Sequence, residues 1–192
     1  PDANLETAIR EAIDKPEGPI YTSELESLAK LNASKNGISH LTGLGYCLNL
    51  QELRLWNNNI SDISALAGLS NLQNLYLDGN NISDISALAK LNNLETLHLY
   101  DNDISDISAL AGLINLKSLL IDGNNISDIS ALAGLNNLWG LGLEGNNVSN
   151  ISALVDNTGL SNGNSVNLIG NPLSAESINN YIFQLEERGV IV

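Results

Sequence analysis

Asn58, Asn80, Asn102, Asn124 and Asn146 stand 22 residues apart, and Ile60, Ile82, Ile104, Ile126 and Val148 follow them at a constant offset. A fixed period of this size means that each copy is one structural unit, whose apolar face is buried only by stacking on the next copy. The chain is therefore expected to form a solenoid. Its reference copy is Leu50 to Asn71, LQELRLWNNNISDISALAGLSN. Within it, Glu52-Leu53-Arg54-Leu55-Trp56 alternates polar and apolar residues, the pattern of a strand with one buried face. Leu53 and Leu55 are expected inside; Glu52, Arg54 and Trp56 are expected outside. Ile63, Leu66 and Leu69 recur at three-residue spacing, which suits a 3-10 or irregular turn better than a full helix. Coils stacked about 4.8 Å apart predict one parallel sheet roughly 30 Å across.

The repeats have clear ends. Residues 28–49 form a degenerate first copy, in which Ala33 and Cys47 replace leucines. Regular copies begin at Leu50, Leu72, Leu94 and Leu116; the copy beginning at Leu138 loses register across Val155 to Gly159, where three extra residues predict a bulge on the convex side or rim. Pro172 has no N–H to offer another coil, so the repeats are expected to stop near Leu173. Before them, residues 1–27 read as a helical cap. Asp2 is its N-cap, with Leu5, Ala8, Ile9, Ala12 and Ile13 on the buried face and a capping box from Ser23 to Glu26. After them, residues 174–192 read as a second cap: a helix started by Ser174, with Ile178, Ile182 and Leu185 on one face and Gly189 at its end, followed by an extended tail.

Composition narrows the function. A 43% hydrophobic content and a mean hydropathy near zero indicate a single soluble domain, and no apolar run reaches the ~20 residues that span a bilayer. The sequence opens on Pro1 and contains no Met, which reads as a processed or trimmed product. A net charge of −14 opposes phosphate backbones and anionic lipid, so neither nucleic acid binding nor membrane insertion is expected. Much of the charge recurs at Asp62, Asp84, Asp106 and Asp128 and reads as solvated surface. Cys47 is alone and occupies a core position, so it reads as a small apolar residue. Asn59-Ile60-Ser61 and its repeats match a glycosylation acceptor, most simply as a by-product of the repeat. No nucleophile elbow, zinc-binding, phosphate-loop or paired-cysteine motif is present. An enzyme is not expected, and no cofactor is implied.

The pattern L-x-x-L-x-L-x-x-N-x-I, followed by S-D-I-S-A-L-A-G-L, resembles a leucine-rich repeat of the 22-residue bacterial internalin type, over Leu28 to Leu173. The resemblance implies an α/β solenoid. It would be a gently curved, right-handed horseshoe arc with a parallel concave sheet, a 3-10 or irregular convex side and helical caps at both ends. It also implies that the asparagines from Asn36 to Asn171 turn inward to bond the backbone of neighbouring coils, and that the domain is extracellular or on the cell surface.

Because the buried positions barely vary, the variable outward positions are where a specific function would sit. They form three columns across the sheet: Glu52, Asn74, Thr96, Ser118, Gly140 and Ser165; Arg54, Tyr76, His98, Leu120, Gly142 and Asn167; and Trp56, Asp78, Tyr100, Asp122, Glu144 and Ile169. Trp56, Tyr76, His98 and Tyr100 concentrate a scarce residue class on one face, as recognition surfaces do; the competing reading is that cross-strand aromatics only stabilise the sheet. Gly140 and Gly142 read either as a neutral irregularity of one copy or as a shallow hollow bordered by Tyr100, Leu120, Asp122 and Glu144, suited to an inserted Lys or Arg. Trp139 lies beside the sheet edge, where it either covers that bare strand or binds. Asp122 and Glu144 offer too few oxygens for a calcium site, and no metal is expected.

The expected function is thus a monomeric, non-enzymatic module binding a protein or peptide through its concave face. Arg54, Trp56, Tyr76, Asp78, His98, Tyr100, Leu120, Asp122, Gly142 and Glu144 are its contact residues, and the acids favour a basic partner. The alternatives are a structural spacer or consensus-type scaffold without a partner and, more weakly, carbohydrate binding by the aromatics.

Overall fold

Alternating leucines turned inward produce seven short strands: β1 (Lys30–Asn32), β2 (Glu52–Arg54), β3 (Asn74–Tyr76), β4 (Thr96–His98), β5 (Ser118–Leu120), β6 (Gly140–Gly142) and β7 (Ser165–Asn167). The computed structural model describes residues 2–192; Pro1, assigned to the cap, lies outside the described residues. The strands pair in parallel in simple sequence order, with Glu52 beside Asn74, Leu53 beside Leu75 and Arg54 beside Tyr76, and each later pair in the same register. Every outward column read from the 22-residue period is therefore a real row on the sheet, including the step across the insertion, where Gly140 pairs with Ser165. The backbone ladder runs past the strand ends, since Leu55 donates to Tyr76 and Asn57 to Asp78.

Behind the sheet, Ser64–Leu66, Ser86–Leu88, Ser108–Leu110 and Ser130–Leu132 form one 3-10 turn each. The leucines and isoleucines of sheet and turns join in one continuous core. The repeat aspartates do more than solvate it. Asp62, Asp84, Asp106 and Asp128 each accept the N–H of the serine two residues on, at 2.8 Å, and so satisfy a free donor at the start of each turn. In the copy carrying the insertion, Asn150 takes the same role and the turn becomes a short helix, α3 (Ser152–Asp156), on the convex side. Asn157, inside the inserted stretch, is buried and donates to Leu132 and Leu135.

Two asparagine ladders tie the coils together. In the inner one, Asn102 accepts from the Ile82 N–H at 3.0 Å and donates to the Leu77 and Leu99 carbonyls at 3.1 and 3.0 Å. Asn58, Asn80, Asn124 and Asn146 repeat this pattern, and Asn171 closes it. Asn36 does not belong to it: its side chain is exposed, because no coil precedes it to bond. The outer ladder is exposed and was not anticipated. Asn49, Asn71, Asn93, Asn115 and Asn137 each donate to a carbonyl 23 residues earlier, at 2.7 to 2.9 Å.

Helix α1 (Ala3–Ala12) covers the first coil with Leu5, Ala8 and Ile9; Ala12 falls off that stripe and is exposed. Asp2 caps α1 through one carboxylate oxygen and accepts the Ser39 and His40 N–H groups through the other, joining cap and first coil. Burial opposes its ionisation, yet these donors together hold its carboxyl down at about 2. The second short helix, α2 (Thr22–Glu26), begins two residues earlier than the Ser23 capping box implies, with the Tyr21 N–H donating to Glu24 at 2.7 Å. At the far end, Ser174 does accept from Ser177, but a π-helical stretch, Ser177–Tyr181, precedes α4 (Ile182–Glu187) and shifts the buried face. Ser177 and Leu185 are buried, whereas Ile178 is exposed. Past Gly189, Val190 is buried and Ile191 bridges to Ser165, so the tail pairs with the last edge of the sheet.

Candidate functional site

The concave face divides into two halves of different character. On the N-terminal half the second column is an internally paired row. Arg54 bonds Glu52 at 2.7 Å, its guanidinium lies 5.2 Å from the centre of the Tyr76 ring, and that ring meets His98 edge-on at 4.9 Å. Burial holds the His98 imidazole below the usual histidine value. Trp56 is half-buried rather than exposed, with the Lys35 ammonium 4.5 Å over its ring. These contacts within the row stabilise the sheet, and of the four rings Tyr100, 38% exposed, is the most open.

Asp78 departs most from expectation. It was placed on the outward face, yet it is 4% exposed, and its Oδ1 is buried without a hydrogen-bond partner. Its row neighbours are Trp56 and Tyr100, and Tyr76 lies two residues back in its own coil. Aromatic side chains on three sides account for its loss of water. Burial, reinforced by the charge of Asp101, pushes its carboxyl up to about 7, against the pull of its own N–H and that of Tyr100.

On the C-terminal half a hollow is lined by Gly140, Gly142, Leu120 and Asp122, but not by Tyr100 or Glu144. A Cβ built on Gly142 would overlap the Asp122 carboxylate, so that space is filled from within the protein. Asp122 is half-buried, accepts the Glu144 N–H at 2.8 Å, and has its carboxyl raised chiefly by burial. Glu144 is exposed and accepts from Asn167 at 2.9 Å. A Cβ on Gly140 would meet nothing within 4 Å. Over Gly140 opens a hollow of about 960 Å³, reaching from His98 and half-buried Leu120 to Ile169, Ile191 and Val192, with Trp139 on its rim. Trp139 is 57% exposed, so it borders the hollow instead of covering strand β6. Ile169 belongs to the third outward column, whereas the tail is not foreseen as part of this surface and reaches it because it pairs with β7. Among the described residues no three acidic, histidine or cysteine side chains approach closely enough to hold a metal ion.

A family model described as Leucine Rich repeats (2 copies) matches residues 48–90, 70–112 and 92–134. The whole chain superposes on internalin C2 from Listeria monocytogenes, with 28% identity and a TM-score of 0.70, covering 92% of that chain. An internalin, inlF, from the same organism is 31% identical over 92% of this chain and 65% of its own, with a TM-score of 0.59. This chain is an internalin-like leucine-rich repeat protein. The leucine-rich repeat ectodomain of the Arabidopsis thaliana receptor kinase GASSHO1/SCHENGEN3, in complex with Casparian strip integrity factor 2, is 25% identical to the internalin-like chain. It aligns over 81% of this chain and 20% of its own, with a TM-score of 0.66. No curated protein matches the internalin-like chain. Leucine-rich repeat proteins generally mediate protein–protein recognition.

Proposed function

We propose that this internalin-like protein is a non-enzymatic, monomeric recognition module. It holds a protein or peptide on its concave face, outside the cell or at the cell surface. The observation that carries the reading is the open hollow over Gly140, which joins apolar walls (Leu120, Trp139, Ile169, Val192) to the half-buried acid Asp122. A mostly apolar depression with few polar groups is the usual form of a recognition pocket. Asp122, Glu144 and the net charge of −14 favour a basic partner with one apolar side chain to insert. Arg54, Tyr76 and His98 form the firm floor beside it, and Trp56 and Tyr100 flank the approach.

Gly140 supplies the test. Its backbone is not in the left-handed region and a Cβ there has open space, so Gly140→Trp fills the hollow without straining the sheet. Peptides selected from a random library on the wild-type domain should carry Lys or Arg beside an apolar residue and bind Gly140→Trp at least about tenfold more weakly, about 1.4 kcal/mol. Equal binding to both proteins would refute this site. A domain that enriches no peptide and retains no protein or glycan would be a spacer.

A further inference from the structure

Asp78 occupies a position where the fold does not require an acid. The equivalent residues in other coils are Ser34, Trp56, Tyr100, Asp122, Glu144 and Ile169, so the coil accepts polar, aromatic and aliphatic side chains there. A buried carboxyl with no counter-ion and with one oxygen, Oδ1, left without a partner is a costly choice at such a position. Among the described residues no cation pairs with it. Arg54, one coil before, is paired with Glu52 and lies over Tyr76, and Lys35 lies over Trp56. The groups facing it from the following coil are His98, lowered by burial, the Tyr100 phenol, raised by burial and by Asp78 and Asp101, and the Asp101 carboxylate. Beyond them lies Asp122, half-buried and raised chiefly by burial.

We infer that Asp78 is a seat for an arginine side chain of the partner, its unpartnered Oδ1 receiving the guanidinium while Trp56 and Tyr100 pack against the arginine stem. This rests on the concave face being the recognition surface. Arginine fits better than lysine because a guanidinium is planar, sheds water more easily and stacks on aromatic rings. Tyr100, the most exposed of the surrounding rings, is the cover that moves. Seating the cation ionises Asp78, so the carboxyl proton leaves to solvent as the guanidinium arrives. The charge of Asp101 acts at the same place and adds to the attraction for a cation. Binding therefore releases a proton and strengthens with pH until Asp78 is already ionised in the free protein.

The test follows the Asp78 carboxyl carbon by NMR in the full chain, assigned by its loss in Asp78→Asn. The probes are the blocked peptide Gly-Arg-Gly and its citrulline counterpart, a neutral isostere, each titrated to its solubility limit. The arginine peptide should lower the Asp78 midpoint by about one pH unit, a tenfold preference for the ionised form, and citrulline should leave it in place. An unmoved midpoint, or equal movement by both peptides, overturns the assignment. Shifts at the Trp56 and Tyr100 amides that persist unchanged in Asp78→Asn overturn it too, and leave concave-face recognition standing. Failure of the Gly140→Trp test would instead count against the recognition site, with the Asp78 titration unaffected.

Discussion

Asp78→Asn should stabilise this protein, by an amount that depends on pH. The substitution keeps the shape of the side chain and removes the possibility of charge at a site 4% exposed. Raising a carboxyl from its ordinary 3.8 to about 7, at about 1.4 kcal/mol for each tenfold change in proton affinity, amounts to about 4 kcal/mol. The sign follows from proton counting. Between those two values the folded protein holds a proton on Asp78 that the unfolded chain has released, so wild-type stability falls as pH rises through this window and the loss is complete above about 7. At pH 4 the neutral carboxyl and the amide are nearly equivalent; at pH 8 the variant should be more stable by up to about 4 kcal/mol. Urea unfolding of both proteins from pH 4 to pH 8.5 reads this directly. All other carboxylates and His98 are common to both and cancel in the difference. Two stability curves separated by a constant gap, or a wild type that gains on the variant as pH rises, would refute the burial argument.

Asn102→Ala strands the Ile82 N–H in the core, while the Leu77 and Leu99 carbonyls keep Asn80 and Asn124 as donors, and should cost about 2 kcal/mol; an unchanged urea midpoint would remove the inner ladder from the account of stability. Asp106→Ala removes the acceptor at the start of a 3-10 turn and should lower the urea midpoint, while Asp103→Ala, exposed and one coil corner away, should leave it in place. Cys47 is fully buried, and burial pushes its thiol up to about 11; a disulfide reagent should label it only at the rate of unfolding, and prompt labelling of native protein would contradict its core position.

The architecture was legible because one period governs it. A 22-residue shift maps Glu52 onto Asn74 and every other column onto its strand partner, and parallel stacking has no freedom to do otherwise. The fate of individual outward side chains was less legible, since it depends on neighbours in adjacent coils rather than on the residue's own coil. Asp78 looks exposed by alternation and is buried because Trp56, Tyr76 and Tyr100 surround its position. Gly142 looks like a vacancy and is the space into which Asp122 leans. The outer asparagines were visible as a strict 22-residue series, but only the geometry shows a carbonyl within reach of each. The shifted face of the last helix has no counterpart in apolar spacing, because a π-helical stretch changes the residues per turn.

The corner before each inner asparagine limits how the coils can be ordered. Its residue is left-handed throughout, as Lys35, Asn57, Gly79, Asp101, Gly123, Gly145 and Gly170. A Cβ on Gly79 would strike the Asn57 side chain, and one on Gly123 would strike that of Asp101. Lys35 and Asn57 do stand in succession, and there the Lys35 side chain lies over the Trp56 ring instead of over the next corner. The repeats are consequently not interchangeable units: what a corner tolerates depends on where the side chain of the preceding corner lies. Gly79→Ala should therefore lower the unfolding midpoint more than Gly145→Ala, whose Cβ would meet only the Gly123 backbone at 3.8 Å. Both variants lose a left-handed glycine, so the difference between them isolates the corner clash, and equal midpoints would refute it.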